Sequence, residues 1–410
     1  VAFLPWLTGT AFLHSIMVVE RRKKLQLWSI SLLVATFSLS IFGTFIVRSG
    51  ILSSVHNFAE SDVGHYFLGF FAASLAASIS VIIIKSKSLT DVATFESATS
   101  RESGFLLNNI MFVSIAFATF WGTIYPMISE ALGNQRITVG APFYEKVNGP
   151  LFLILLFLMG IGPLLNWSNT SQKILVQKLQ LPLTILILCF ITSLAFTGDL
   201  VISIGFAACS FVFTTVLYEY GYGARTRTRT SSENYLRAIF SLIRIDRRKY
   251  GGYLVHVSVI ILAIGIIASS GLQTSKEINM PINSTTTIGK YTLEYTGSAT
   301  IQKLDHTVLA SQILVYQEDK DGTIEMLPKT IYYENFETQP TSRVAIIPFT
   351  TEDLYIFQSG VDENSATFAI FINPLVNLVW VGSSLMIIAL IILFWPNRSN
   401  RMYKSESQTE

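Results

Sequence analysis

Five histidines are the residues of this sequence best suited to metal or proton chemistry, and two of them have an unusual setting. The five are His14, His56, His65, His256 and His306. His14 and His256 fall inside long apolar blocks, where an ionisable side chain is costly and usually serves a function. Each lies one to two helical turns from a cluster of basic residues at one end of its block.

Two imidazoles at matched depth on separate helices are the ligand set of a bis-histidine b-type haem. Axial ligands approach the iron from opposite faces of the macrocycle, and neutral imidazole binds iron well. Small residues surround both histidines, with Gly9 and Ala11 near one and Gly251 and Gly252 near the other. Such residues admit a flat cofactor or let two helices pack closely. The alternative is a pair of histidines that only hydrogen-bond to neighbouring helices.

A third candidate ligand, His56, lies in a loop that is unusually apolar. Four large apolar side chains between positions 51 and 58 have the spacing of one face of an interfacial helix. An imidazole there could ligate a haem from the outer side of the membrane, or it could be an ordinary loop residue. Arg48 could form a bidentate contact with a haem propionate, or it could simply snorkel to the interface. His65 and His306 are predicted to be surface residues.

The composition shows which elements must position these residues. Of the 410 residues, 50% are hydrophobic and 14% are charged, whereas soluble domains carry about 25% charged residues. The apolar residues cluster in blocks of about 17–22, the length that crosses a bilayer as a helix. The net charge of +2 is too small to indicate nucleic-acid binding, and no nucleic-acid partner is predicted. Two cysteines, Cys189 and Cys209, are not spaced as a metal or redox pair and are predicted to be buried apolar residues.

The predicted fold class is mainly α, a polytopic transmembrane helix bundle with an inserted extramembrane β-rich domain. Residues 272–374 alternate polar and apolar side chains and are rich in Thr, Tyr, Ile and Val, which favours strands. The predicted domains are a bundle of about eight spans (1–271), the β domain (272–374), a last span (375–395) and a tail (396–410). The nine predicted spans are 1–19, 28–47, 65–84, 106–125, 150–166, 182–197, 200–218, 253–271 and 375–395.

Orientation follows from the distribution of Lys and Arg, because loops that stay on the cytoplasmic side carry the excess. Of the 29 basic residues, 20 fall in the loops and tail on one side of these spans and nine on the other. The first set is therefore predicted to be cytoplasmic, and the β domain is predicted to lie outside. A run of alternating arginines, 225–230, belongs to the cytoplasmic set and is interpreted as a topology anchor beside anionic lipid.

Several segments of the sequence resemble the CcmF family of WWD haem-handling membrane proteins of cytochrome c biogenesis. Segment 4–15 resembles the region that follows the WWD motif in such proteins. The stretch 36–50 running into 53–56 is more specific to the CcmF family. The other matching segments are 121–126 with Glu130, 139–144 and 251–256. The resemblance covers nearly the whole chain.

This resemblance implies a haem lyase that takes haem from the haem chaperone CcmE and promotes its attachment to the CXXCH cysteines of apocytochrome c. It implies that His14 and His256 are the axial ligands of a haem b. It also implies that His56 is the second of two external histidines that ligate the incoming haem. Further implied partners are CcmH- or CcmI-type subunits and membrane lipid. The implied location is the bacterial inner membrane with the β domain in the periplasm, or alternatively the mitochondrial inner membrane.

Two other functions stay open at this stage. One is a haem transporter or scaffold of the same pathway without lyase chemistry. The other is a b-type electron-transfer subunit, although such subunits usually hold two haems on four histidines within the membrane. The sequence begins at Val1 rather than Met. We therefore expect a C-terminal fragment that lacks the WWD motif and the first external histidine, and that is inactive as a lyase alone.

Overall fold

The computed structural model describes residues 1–49, 63–89, 97–133, 135–231, 233–318, 320–333 and 340–395. The chain divides into two compact units. The first consists of Val1–Leu186 and Ser210–Glu219, and the second of Ile187–Cys209 and Tyr220–Glu410. Each unit is described by itself below.

Ten α-helices lie in the described ranges, and nine of these are long and apolar enough to cross a membrane. The nine predicted spans are thus confirmed as helices. The ten are α1 (Phe3–Arg22), α2 (Gln26–Arg48), α3 (Val63–Lys85), α4 (Arg101–Gly133), α5 (Ala141–Ile161), α6 (Gln172–Thr197), α7 (Leu200–Thr230), α8 (Tyr235–Ile245), α9 (Arg247–Gly271) and α10 (Asn377–Phe394).

Several helices extend beyond the predicted spans; α6 begins at Gln172 rather than at 182, and α7 ends at Thr230 rather than at 218. Helix α5 begins at Ala141 rather than at 150, because Pro142 stands in its first turn, where a missing N–H costs nothing. Pro150 lies inside the helix instead of starting it.

Helix α8 lies in a segment for which the sequence predicts a loop. It is amphipathic and begins after Asn234, whose side chain accepts a hydrogen bond from the backbone N–H of Arg237.

In the first unit, α1 packs between α2 and α4. Its buried side chains include Leu4, Leu7 and Ala11, which join Leu32 of α2 and Ile115 of α4 in one apolar cluster. Two polar pairs also join α1 to α2. The hydroxyls of Ser15 and Ser29 lie 2.7 Å apart, and the hydroxyl of Thr36 donates to that of Thr8 at 3.0 Å. Such hydrogen bonds between helices fix the register of a membrane pair.

In the second unit, α9 and α10 approach each other along small residues. A Cβ added to Gly382 of α10 would lie 2.6 Å from the backbone nitrogen of Leu262. A Cβ added to Gly265 of α9 would lie 2.8 Å from the backbone nitrogen of Val379. Only glycine permits this separation of the two backbones, which is the usual way in which membrane helices pack closely.

Between α9 and α10 the described residues form ten strands, which confirms the β-rich insertion. They are β1 (Thr274–Pro281), β2 (Ser284–Ile288), β3 (Tyr291–Gln302), β4 (His306–Gln317), β5 (Lys320–Met326), β6 (Lys329–Tyr333), β7 (Thr341–Arg343), β8 (Ala345–Pro348), β9 (Glu352–Val361) and β10 (Ser365–Pro374). One antiparallel sheet has the order β1-β10-β9-β8. The other has the order β2-β3-β4-β6-β7, with β5 paired to β4.

Alternate residues of the strands build the core between the two sheets. In β10 the buried positions are Ala366, Phe368, Ile370 and Ile372, every second residue, as expected for a strand with one buried face. They pack in one cluster with buried residues of β3 and β4 from the other sheet, such as Leu293. The alternation of polar and apolar residues in the sequence therefore reflects strands with one buried face, as predicted.

The two ends of the β insertion lie side by side. Strand β1 follows α9 closely, and it pairs with β10, which leads into α10. The side chain of Gln273 donates to that of Asn373 at 2.6 Å just before this pairing begins. At the other junction the N–H of Leu375 donates to the carbonyl of Thr351 at 2.8 Å, and the side chain of Asn377 donates to the carbonyl of Phe349.

A charged cluster joins the two sheets near the start of β9. The Lys290 ammonium and the Tyr291 hydroxyl both lie 2.8 Å from Oε1 of Glu352. Burial opposes ionisation of Glu352, but these two hydrogen bonds outweigh it and hold the pKa of the carboxyl below its usual value. The neighbouring carboxyl of Asp353 has a raised pKa because burial disfavours its charge.

Candidate functional site

The ring of His14 is held in one tautomer by its own helix. Its Nδ1 lies 2.8 Å from the carbonyl oxygen of Thr10, one turn earlier on α1. Because a carbonyl oxygen only accepts hydrogen bonds, Nδ1 carries a proton, and in the neutral ring Nε2 carries the lone pair. No described residue forms a hydrogen bond with that Nε2. This is the arrangement found in metal-binding histidines, whose second nitrogen donates to a carbonyl or carboxylate.

Two aromatic rings of α4 line the half-buried His14. The Phe112 ring lies 5.9 Å from the imidazole, centroid to centroid, in a stacked geometry, and the Phe105 ring lies 5.7 Å away and is tilted. Phe105 and Phe112 are seven residues apart, so they share one face of α4. The two rings thus give the imidazole an apolar surrounding, and the hydrogen bond to Thr10 fixes its orientation.

His256 lies in the second unit, on the face of α9 that points away from α10. Gly251, Ser258 and Gly265 repeat every seven residues, and the first and last of them approach α10. His256 precedes Ser258 by two positions, a rotation of about 200° around the helix axis. Gly252 is one turn earlier on the face of His256, and a Cβ there would meet nothing within 4 Å. The space at Gly252 is therefore open, whereas His256 itself is half-buried and its Nδ1 is shielded from solvent.

The other predicted residues are placed as follows. Arg48 is the last residue of α2 and is exposed, and His56 lies outside the described residues. His65 is exposed on α3, as predicted. His306 is more enclosed than predicted, with 16% of its side chain exposed, and its Nδ1 lies 2.6 Å from a carboxylate oxygen of Asp305. His14 and His256 belong to different units, and their pairing stays a prediction.

A buried ionic cluster near the basic end of α1 was not found by sequence reasoning. Glu102, at the start of α4, is fully buried, with Nζ of Lys24 at 2.8 Å from Oε2 and Nε of Arg22 at 2.9 Å from Oε1. We refer to Arg22, Lys24 and Glu102 as the ionic trio. The sequence offered one signal, an acidic residue just ahead of an apolar block. Its partners lie 78 or more residues earlier, so no local pattern identifies them.

The cysteines form no disulfide. Cys209 is buried, as predicted, and Cys189 is half-buried. Within the described ranges, no group of three or more His, Cys, Asp or Glu side chains is arranged to hold a metal ion.

Comparison with known proteins relates the chain to one group. No family model matches it. It is 28% identical over 389 residues to the cytochrome c-type biogenesis protein CycK of Rhizobium meliloti, covering 94% of this chain and 56% of that protein. It is 27% identical over 407 residues to the cytochrome c-type biogenesis protein CcmF of Haemophilus influenzae, covering 97% of this chain and 60% of that protein.

A solved structure agrees at the level of the fold. The cytochrome c haem lyase CcmF matches with a TM-score of 0.75 and 22% sequence identity, covering 96% of this chain and 59% of that one. The chain thus spans less than two thirds of the length of these proteins. The resemblance seen in the sequence is confirmed: the chain is similar in sequence to the CcmF and CycK cytochrome c-type biogenesis proteins, and it shares the fold of about three fifths of the solved CcmF structure.

Proposed function

We propose that this chain is a haem-binding membrane subunit of a haem lyase in cytochrome c biogenesis. Its relatives are named as cytochrome c-type biogenesis proteins, and a structural neighbour is named as a haem lyase. The reaction would take haem from the chaperone CcmE and promote its covalent attachment to the CXXCH cysteines of apocytochrome c. The geometry of His14 carries the proposal, because it presents an unprotonated Nε2 in an apolar setting.

The proposal assigns His14 and His256 as the axial ligands of a haem b. Seven residues separate His14 from Arg21 and His256 from Lys249, a rise of about 10 Å along either helix. The basic residues mark the cytoplasmic side, so both imidazoles have the same depth. The residues fit a haem. The Nδ1 of His14 already donates a hydrogen bond to the carbonyl of Thr10, which leaves Nε2 for iron. His256 lies one turn from Gly252, where a Cβ would meet nothing within 4 Å.

A bound haem b would supply one-electron redox chemistry to the subunit. The residues of this chain do the rest. The carbonyl of Thr10 accepts the Nδ1 proton of His14 and so fixes both the tautomer and the ring orientation. The rings of Phe105 and Phe112 keep water from one side of the imidazole. An apolar surrounding of this kind also sets the dielectric around an iron ligand.

On the outer side, His56 is proposed to ligate the incoming haem, which is substrate rather than resident cofactor. Arg48 ends α2 at the opposite end from the basic cluster of α1 and α2, and its exposed guanidinium suits a propionate of that haem. This role for His56 makes it the proposed catalytic residue. It rests on the sequence resemblance, because His56 lies outside the described residues.

The proposed location is the bacterial inner membrane, with the β insertion in the periplasm. The excess of Lys and Arg on the opposite side of the nine helices supports this orientation. In the periplasm the insertion would be available to protein partners, for which we propose CcmE, apocytochrome c and CcmH- or CcmI-type subunits.

The axial ligands are tested with the purified chain in nanodiscs, loaded with haem. The wild-type chain is expected to show a bis-imidazole b-type spectrum, and His14→Ala and His256→Ala are each expected to lose it. His65→Ala is the matched control, because it removes an exposed imidazole from another apolar helix. A full b-type spectrum in both His14→Ala and His256→Ala would rule out this ligand pair.

The role of His56 is tested in cells through the yield of holocytochrome c. The gene carrying His56→Ala is compared with the wild-type gene in a host that depends on it. A normal yield would exclude a lyase role for this loop. Haem that reaches the chain but is not attached to apocytochrome would favour the transporter or scaffold function instead.

A further inference from the structure

Two guanidinium groups of the first unit converge on one indole. The Cζ of Arg21, near the end of α1, lies 5.2 Å from the ring centroid of Trp167. The Cζ of Arg101, the first residue of α4, lies 5.6 Å from the same centroid. Guanidinium groups at such distances are attracted by the ring and still keep their N–H groups available for carboxylates.

These two cations differ from the other basic groups around them. Glu102 lies within 2.9 Å of both Arg22 and Lys24 in the ionic trio. Among the described residues, neither Arg21 nor Arg101 forms an ion pair with a carboxylate. Arg101 donates from one nitrogen to the carbonyl of Pro163 at 3.0 Å, and that contact uses one of its five N–H donors. Neither guanidinium group is thus paired with a carboxylate of the described residues, and both keep N–H donors for a ligand.

The same two cations lie on the basic side of the proposed iron ligand, His14. Arg21 follows His14 by seven residues, so both lie on one face of α1 with a rise of about 10 Å between them. On α4, Phe105 is one turn after Arg101, and its ring lies 5.7 Å from that of His14 and 5.9 Å from that of Trp167. A line of aromatic rings therefore leads from the imidazole to the two guanidinium groups.

We propose that Arg21 and Arg101 bind the two propionates of the haem whose iron His14 ligates, an inference that rests on the proposed function. A haem carries two carboxylates on one edge, and the structure offers two guanidinium groups on the cytoplasmic side of the ligand. Arginine matches a carboxylate through two parallel hydrogen bonds. Trp167 would hold both side chains in place, so that little rotamer freedom is lost on binding.

The test compares haem with haem dimethyl ester, in which both carboxylates are blocked and the macrocycle is unchanged. The purified chain in phosphatidylcholine nanodiscs is titrated with each compound, and the b-type absorbance reports binding. The wild-type chain is expected to bind the ester at least about tenfold more weakly than haem, the size of a charge-assisted contact. This comparison needs no variant and is independent of folding defects.

Variants then locate the carboxylate contact. Arg21→Gln and Arg101→Gln are each expected to bind haem about tenfold more weakly, and the double variant is expected to bind haem and the ester equally. Lys23→Gln is the matched control, because it removes an exposed positive charge two residues from Arg21. It is expected to keep the wild-type preference for haem.

The outcomes separate this inference from the function on which it rests. Equal binding of haem and ester by the wild-type chain, with the b-type spectrum intact, would overturn the propionate contact and leave the haem site standing. Loss of haem binding altogether, or an unchanged spectrum in His14→Ala, would refute the proposed function and this inference with it. If Arg21→Gln leaves haem binding unchanged and lowers only the amount of phosphatidylglycerol that copurifies with the chain before reconstitution, the guanidinium serves a lipid phosphate and the inference is wrong.

Discussion

Replacing Glu102 by glutamine tests the energetics of the ionic trio at the basic end of α1. The carboxylate is fully buried and faces two cations, Lys24 with 4% of its side chain exposed and Arg22 with 30% exposed. Glutamine has nearly the same shape as glutamate, so the substitution Glu102→Gln removes the negative charge without opening a cavity. The two positive charges stay where they are, one of them almost out of reach of water.

The expected loss in the free energy of unfolding follows from how much of each of the three side chains is exposed. Removing one partner of a buried ion pair costs about 3–5 kcal/mol, because the remaining charge has lost its compensation. We expect a loss of this size for Glu102→Gln, dominated by the Lys24 ammonium. Arg22→Gln is expected to cost only about 1 kcal/mol, since this partly exposed side chain gains less from its pair.

The measurement is the free energy of unfolding of the purified chain in mixed detergent micelles, followed by tryptophan fluorescence. The control is Arg136→Gln, because Arg136 pairs with Glu130 at 3.8 Å and Glu130 is 56% exposed. This surface pair is expected to contribute less than about 0.5 kcal/mol. If Glu102→Gln costs no more than Arg136→Gln, the reasoning from burial is refuted.

A double variant separates charge compensation from packing. In Lys24→Met with Glu102→Met, two apolar side chains of similar length replace the buried pair, and neither carries a charge to desolvate. Such replacements are often neutral or stabilising. The double variant is therefore expected to recover most of the stability lost in Glu102→Gln. A double variant as unstable as the single one would contradict the assignment of that loss to the uncompensated Lys24 ammonium.

Two further predictions concern the second unit. Gly382→Ala is expected to destabilise the chain by about 1–3 kcal/mol, because the new methyl group would meet the backbone of Leu262. The control Gly69→Ala meets nothing within 4 Å and should be neutral or slightly stabilising. Glu352→Gln should lower protection from hydrogen exchange in β9 at neutral pH and flatten its acid dependence. Since the pKa of Glu352 is lowered on folding, its contribution is complete above the ordinary value of 4.5 and is lost as the pH falls below it. A variant with the acid dependence of the wild-type chain would contradict this assignment.

The membrane architecture was largely predictable, because its physical cause is local in sequence. A block of about 20 apolar residues has few folded states other than a helix across a bilayer. The β insertion was also predictable, since alternation along a strand such as β10 records which face is buried. Helix α8 was not predicted, because it lies in a basic segment and its 11 residues are too few to cross a bilayer.

The site was only partly predictable for a different reason. The depth of His14 can be read from its distance to Arg21, but its tautomer depends on the hydrogen bond to Thr10, which needs coordinates. The ionic trio and the pair of guanidinium groups on Trp167 join residues far apart in sequence. Long-range polar contacts leave no periodic pattern, so composition and spacing do not reveal them.

The paired ends of the β insertion have a mechanical consequence. A domain tethered by one flexible linker swivels freely, whereas this one is joined to the membrane helices by two stems. Strands β1 and β10 pair with each other, and α9 and α10 pack backbone to backbone at Gly265 and Gly382. A torque applied to the β insertion by a bound protein therefore turns both stems together. A protein that docks on the strands is thus mechanically coupled to α9, the helix that carries His256 toward its other end.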